Sequence, residues 1–76
     1  MAESNWRADW PAFRVELVDE TARCFADQLS AETQGRQPRW DWLTSEQQFD
    51  LVEIIAGISL AESQAMSNLV ERGVIV

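Results

Sequence analysis

One long segment with apolar residues on more than one side constrains this fold more than any other feature. Residues 44–72 begin with a capping box, in which Thr44 and Gln47 can exchange hydrogen bonds between side chain and backbone. A helix that is apolar on most sides needs packing partners in more than one direction. The rest of the chain must therefore cover this segment. Its large apolar residues are Phe49, Leu51, Val52, Ile54, Ile55, Ile58, Leu60, Met66, Leu69 and Val70.

A first amphipathic helix is predicted over residues 10–33. Its apolar residues recur mostly at spacings of three, four and seven, which is typical of one helix face. They are Trp10, Phe13, Leu17, Val18, Ala22, Cys24, Phe25 and Leu29. Because Cys24 falls on this face, we expect it to be a buried structural thiol.

The two ends of the first helix have recognisable signals. Asp9 precedes Pro11, and this pair predicts an N-cap followed by a proline in the first turn. Gly35 is a suitable residue to end the helix. Residues 1–8 are polar apart from Trp6, so we expect them to be loosely held.

The connection over residues 34–43 contains two tryptophans, which is unusual for a loop. Trp40 and Trp42 flank Asp41, and Arg39 is adjacent. One interpretation is that both indoles fold back over the helix pair as a lid. The other is that at least one anchors a partner protein, since Trp and Arg are enriched at binding hot spots.

Gly57 leaves the continuity of the second segment open. Glycine inside a helix costs about 1 kcal/mol relative to alanine, and Ser59 with Glu62 forms a second capping-box pattern. Residues 44–72 are therefore either one helix or two, and the pattern favours a break or kink near Gly57. Alternatively, this glycine allows another helix to pack closely. The apolar tail over residues 73–76 is expected to fold onto the core or pair with a second chain.

These segments predict an all-α protein, either a helical hairpin or a compact three-helix unit. A chain of 76 residues buries only about 60% of its extended-chain surface. A single cysteine excludes an internal disulfide, so oligomerisation or partner binding is the remaining route to stability. We expect a homodimer whose interface uses Leu51, Ile54, Ile55, Ile58 and Met66. Alternatively, the last helix folds back to complete the core, and an apolar patch marks a partner site.

The composition excludes several classes of function. The chain has no His, Lys or Tyr and no glycine-rich phosphate loop, so we expect no enzyme, cofactor or metal site. A net charge of −7 disfavours nucleic acid and anionic membranes, and it favours a partner protein with a basic surface. Asp19 and Glu20 are the acidic residues we expect to meet it. One unpaired cysteine and no leader sequence predict a cytoplasmic protein.

These features favour a small protein-binding regulator or inhibitor that occludes a surface of a larger protein. Such acidic, Trp-containing chains resemble in type the accessory proteins of phages and mobile elements, which act on host factors or defence systems. One alternative is an assembly subunit that self-associates. Another is a helix-turn-helix DNA-binding regulator, although its recognition helix would carry only Arg72 as a basic residue.

Overall fold

The computed structural model describes residues 6–74, and this part of the chain is helical without any strand. Its two long helices form an antiparallel hairpin, in which Arg14 near the start of the first reaches Ser63 late in the second. The fold is thus all-α, as expected, and its third helix is a short one near the N-terminus and not a second half of residues 44–72. The elements are α1 (Trp6–Asp9), α2 (Ala12–Glu32), a 3-10 helix (Trp40–Trp42) and α3 (Ser45–Glu71).

Helix α3 begins with the capping box that the sequence predicts. The Gln47 backbone N–H donates to Thr44 Oγ1 at 3.1 Å, and the Thr44 N–H donates to Gln47 Oε1 at 2.9 Å. The helix then continues through Gly57, so the predicted break is wrong, whereas a kink at this glycine remains a prediction. A Cβ on Gly57 would meet nothing within 4 Å, so close packing does not explain the glycine either. Packing along the rest of α3 outweighs the modest propensity cost of one glycine.

Helix α2 starts differently from the prediction. Asp9 is the last residue of α1, and Pro11 takes the N-cap position without any side-chain cap. The Pro11 carbonyl accepts the backbone N–H groups of Arg14 and Val15 at 2.9 and 3.1 Å. Because α1 already uses Asp9, the predicted N-cap is not formed, and Trp10 lies at the bend between the two helices.

Both long helices end in the same hydrogen-bonded motif. At the end of α2, the N–H of Gln34 donates to Ala31 O at 3.2 Å and that of Gly35 donates to Ser30 O at 2.8 Å. This pair of bonds defines a Schellman motif. Gly35 has a φ of 84°, and Gly73 at the end of α3 has a φ of 75°, which glycine adopts without steric penalty. At the end of α2, however, the first left-handed residue is Gln34, with a φ of 56°, and Gly35 follows it, so the predicted helix end at Gly35 lies one residue late.

The first described residues are held firmly against the hairpin. Trp6 is only 3% exposed, and its indole N–H donates to Glu53 Oε2 of α3 at 2.9 Å. The Arg7 guanidinium pairs with Asp19 of α2 at 2.9 Å. The expectation of a loose N-terminus is therefore wrong for residues 6–8, and residues 1–5 lie outside the described range. One tryptophan buries enough apolar area to anchor a short segment.

The face of α2 that packs against α3 is a stripe of small residues. Val18, Ala22, Ala26 and Ser30 are buried at a spacing of four, which places them on one side of the helix. Small side chains let two helix backbones approach closely. The larger residues that the sequence assigned to this face are exposed instead: Phe13, Leu17, Cys24 and Phe25. The core cluster consists of Trp6, Val18, Ala22, Val52, Ile55 and Ala56.

The molecule is elongated and exposes more surface than its size requires. Its radius of gyration is 14.9 Å, whereas a compact chain of this length has about 11 Å. Its accessible surface is 6124 Å², against about 4,700 Å² for a typical monomer of this mass. At the end of the described chain Val74 is exposed, and the remaining tail residues 75–76 lie outside it.

Candidate binding surfaces

The connection between α2 and α3 is tied down at Trp40. The Trp40 backbone N–H donates to Asp27 Oδ1 at 3.0 Å, and Gln48 Nε2 donates to the Trp40 carbonyl at 2.9 Å. The Trp40 side chain is half-buried and packs against the core cluster. The lid interpretation, in which both indoles fold back, is therefore correct for Trp40 alone, and these contacts fix the 3-10 helix onto both long helices.

Trp42 points away from this anchor and is 78% exposed. It borders a shallow depression of about 380 Å³ that also includes the exposed side chains of Arg36 and Arg39. The backbone N–H of Trp42 donates to the backbone carbonyl of Arg39 at 2.9 Å, and this hydrogen bond fixes the backbone that carries both residues. We call this region the Trp42 surface. It is lined by Ser30, Gly35, Arg36, Gln37, Pro38, Arg39 and Trp42.

The acidic residues predicted to meet a partner lie elsewhere, beside Trp40. Asp19 and Glu20 line a depression of about 510 Å³ together with Glu16, Arg23 and Trp40. Asp19 already pairs with an arginine of α1, and Glu20 accepts a weak hydrogen bond from the Cys24 thiol at 3.8 Å. The local negative charge of this depression is therefore partly neutralised within the chain.

Five of the six predicted partner-binding residues thus divide into two groups. Arg39 and Trp42 share the Trp42 surface, whereas Trp40, Asp19 and Glu20 share the acidic depression. Asp41 is exposed at the centre of the 3-10 helix between the two tryptophans. We therefore treat the two regions as separate candidate surfaces and not as one binding site.

An apolar groove runs between the start of α2 and the middle of α3. Its volume is about 610 Å³, and Phe13, Leu17 and Ile58 line it with more than half of their surface exposed. Phe13 and Leu17 are four residues apart and therefore neighbours on α2. We call this region the apolar groove. Its full lining is Pro11, Phe13, Arg14, Leu17, Val18, Thr21, Ile55, Ile58, Ser59 and Glu62.

The residues predicted for a dimer interface are only partly on the surface. Ile54, Ile58 and Met66 are exposed, but Ile55 is 7% exposed and belongs to the core of its own chain. Leu51 is half-buried and packs against the same core. The α2 wall of the groove was missed. The sequence did contain a signal for this wall. Helix α2 has a second face of small residues that can pack against α3, and the larger residues are then left on the surface.

Two charged residues border the groove, one from each long helix. Arg14 belongs to α2, where its guanidinium lies 4.2 Å from the Trp10 ring centroid and donates to Ser63 Oγ at 3.2 Å. Glu62 belongs to α3 and is exposed. The Arg14 guanidinium thus reaches α3 at the residue after Glu62, and the apolar groove is bordered by one positive and one negative charge.

The described residues offer surfaces for contact and no assembled metal site. Within residues 6–74, no three Cys, Asp or Glu side chains come together as a group that could hold a metal ion. No helix in the described part of the chain has both the length and the apolar character needed to cross a bilayer. The helix-turn-helix alternative needs a turn between Ala56 and Ser59, where α3 is continuous.

Comparisons of the chain with protein-family models, with curated proteins and with solved structures gave no match.

Proposed function

We propose that this protein is a non-enzymatic binding protein that occludes a surface of a larger protein through the Trp42 surface. The observation that carries the proposal is the 78% exposure of Trp42 on a 3-10 helix anchored to both long helices. A tryptophan in solvent contributes nothing to its own fold, but it offers a large apolar area to a partner.

The anchoring of the 3-10 helix supports this role. Binding loses free energy when it must order side chains and loops, so a surface that is already fixed binds more tightly. The hydrogen bonds from Trp40 to Asp27 and from Gln48 to Trp40 hold the backbone in place before any partner arrives. Tryptophan and arginine are also the residue types that most often dominate interface energetics.

The charges suggest two separate contributions to partner choice. The net charge of −7 attracts a basic protein over long distances, which raises the association rate at low salt. At short range, Arg36 and Arg39 beside Trp42 suit carboxylate or carbonyl acceptors on the partner. We therefore propose a partner with net positive charge and with hydrogen-bond acceptors around a pocket for one indole ring.

Catalysis has no part in the proposal, because the sequence lacks His, Lys and Tyr. We further propose that the protein acts as a homodimer, since its accessible surface exceeds that of a typical monomer by an amount on the order of 1,000 Å². The exposed thiol of Cys24 fits a reducing compartment such as the cytoplasm. The form of this role that we favour is an accessory protein of a phage or mobile element that inhibits a factor of its host.

The test is capture of a partner by matched variants of the tagged protein, with nuclease present to remove bridging nucleic acid. We expect the wild type to retain one stoichiometric protein and Trp42→Ala to lose most of it. The matched control is Phe25→Ala, which removes another exposed aromatic ring. Phe25 lies two residues from Asp27 and hence on the opposite side of α2 from the connection.

The pattern of losses decides the proposal. Equal capture by wild type and Trp42→Ala would exclude the Trp42 surface as the binding site. Equal loss in Trp42→Ala and Phe25→Ala would show a general effect of surface apolarity, and it would also count against the proposal. Recovery of the protein alone, in every sample, would favour an assembly subunit instead.

A further inference from the structure

We propose that the apolar groove is the self-association surface of this protein, and that its occupant is the same groove of a second copy. This inference specifies the homodimer named above, and it is independent of the Trp42 surface. Two hairpins joined in this way would form a four-helix arrangement, in which α2 and α3 of each copy cover one another.

The exposed area is sufficient for such a dimer. The chain has an excess accessible surface on the order of 1,000 Å² over a typical monomer of its mass. A stable interface needs about 800 Å² from each partner. The excess of the whole chain is therefore large enough to include what one copy must contribute, and the groove supplies part of it through the exposed side chains of Phe13, Leu17 and Ile58.

The charges at the edge of the groove are complementary to those of the same groove in a second copy. In a two-fold dimer, each contact of one residue with a second residue is repeated with the roles exchanged. Arg14 of one copy can therefore meet Glu62 of the other, and a two-fold dimer makes this contact twice. The groove thus meets a second copy with apolar surface at the centre and opposite charges at the edge.

This interface differs from the one that the sequence predicts. Ile55 remains in the core of its own chain, and the α2 residues Phe13 and Leu17 replace it. Ile58 is common to both interfaces, and Ile54 lies beside it one helical turn away. The revised interface uses both helices, whereas the sequence placed it on α3 alone.

The first test compares two leucines of similar exposure by sedimentation. Leu17 lines the groove and is 52% exposed, whereas Leu60 is 42% exposed and is not among the groove-lining residues. We expect wild type to be a dimer at tens of micromolar. Leu17→Glu should weaken the dimer about 100-fold or more, because two carboxylates would enter the apolar centre. Leu60→Glu should leave the dissociation constant unchanged within threefold.

The second test reverses the rim charges and does not alter the apolar groove. Arg14→Glu and Glu62→Arg should each weaken the dimer several-fold, because each places like charges together at two equivalent positions. The double variant should recover most of the wild-type affinity. If the double variant loses as much affinity as the two single variants together, the arrangement proposed here is wrong.

The outcomes separate this inference from the proposed function. A monomeric wild type would overturn both the groove inference and the homodimer. A dimer that persists in Leu17→Glu, with circular dichroism unchanged, would overturn the groove alone. Monomers that still capture a partner through Trp42 would leave the binding proposal intact, and equal dissociation by Leu60→Glu would place the interface elsewhere.

Discussion

The two sides of the α2–α3 pair differ in how completely the chain covers them. On one side, Trp6 fills the space between the helices, and contacts to Glu53 and Asp19 fasten α1 in place. On the other side, the helices leave a groove in which Phe13 and Leu17 remain mostly in solvent. Both sides are rich in apolar atoms, so coverage and not composition distinguishes them.

This difference shows that the stability of the hairpin is unevenly distributed. Burial of a large apolar side chain stabilises the folded state by about 1.5–3 kcal/mol. Within one chain, only the side chains on the covered side are buried in this way. The open side holds the same kind of side chains without that gain. The covered side should therefore respond to substitution in any solution, whereas the open side should respond only when something else binds to it.

The largest expected effect is that of Trp6→Ala on the covered side. This change removes a nearly fully buried ring and its hydrogen bond to Glu53, so we expect the free energy of unfolding to fall by about 3–5 kcal/mol. Urea denaturation followed by circular dichroism measures this loss. For a chain of this size the loss is a large fraction of the total stability.

Trp42→Ala is the natural control for that experiment. The same chemical change at an exposed indole should alter the free energy of unfolding by no more than about 0.5 kcal/mol. Similar losses at both positions would mean that Trp42 is buried in solution, and the contrast between buried and exposed indoles would then fail.

The next effect concerns the small residues where the two helices meet. Ala22 has no exposed surface, so Ala22→Leu should force α2 and α3 apart and lower the free energy of unfolding by about 1–3 kcal/mol. Ala31→Leu, at an exposed position of α2, should change it by less than about 0.5 kcal/mol. Thermal unfolding at a fixed protein concentration compares the two, and an unchanged midpoint for Ala22→Leu would contradict the close helix contact.

The small-residue stripe also explains what could not be read from the sequence. The two long helices followed from periodicity, and the capping box marked the start of α3 correctly because that signal is local. The short helix α1 and the continuity of α3 through Gly57 did not follow, because both depend on packing. The rotation of α2 about its axis is a tertiary property. Ranking residues by hydrophobicity chose Phe13 and Phe25 as core, whereas close packing favours the alanines.

The same distinction between local sequence signals and tertiary packing applies to the candidate surfaces. The exposure of Trp42 and the half-burial of Trp40 depend on where the 3-10 helix contacts Asp27, which is thirteen residues before Trp40. Likewise, the groove exists because α1 covers only one side of the hairpin. A sequence pattern identifies residue types suited to binding, but the fold decides which of them reach the surface.

A smaller and favourable effect is expected at Gly57, which lies in continuous helix with open space around it. Gly57→Ala should raise the free energy of unfolding by about 0.5–1 kcal/mol, because alanine has the higher helix propensity and its Cβ would meet nothing. Chemical denaturation detects a change of this size. A loss of stability would indicate that α3 bends at this glycine in solution or that another chain packs against it.

The smallest intrinsic effect is that of Phe13→Ser on the open side. Phe13 is 75% exposed, so in dilute solution its replacement should change the free energy of unfolding by less than about 0.5 kcal/mol. As protein concentration increases, the thermal midpoint of wild type should rise, because a dimer of folded chains is stabilised by mass action. The midpoint of Phe13→Ser should rise less steeply, and that of Leu60→Ser should follow wild type. A wild-type midpoint independent of concentration would mean that no second copy covers the open side.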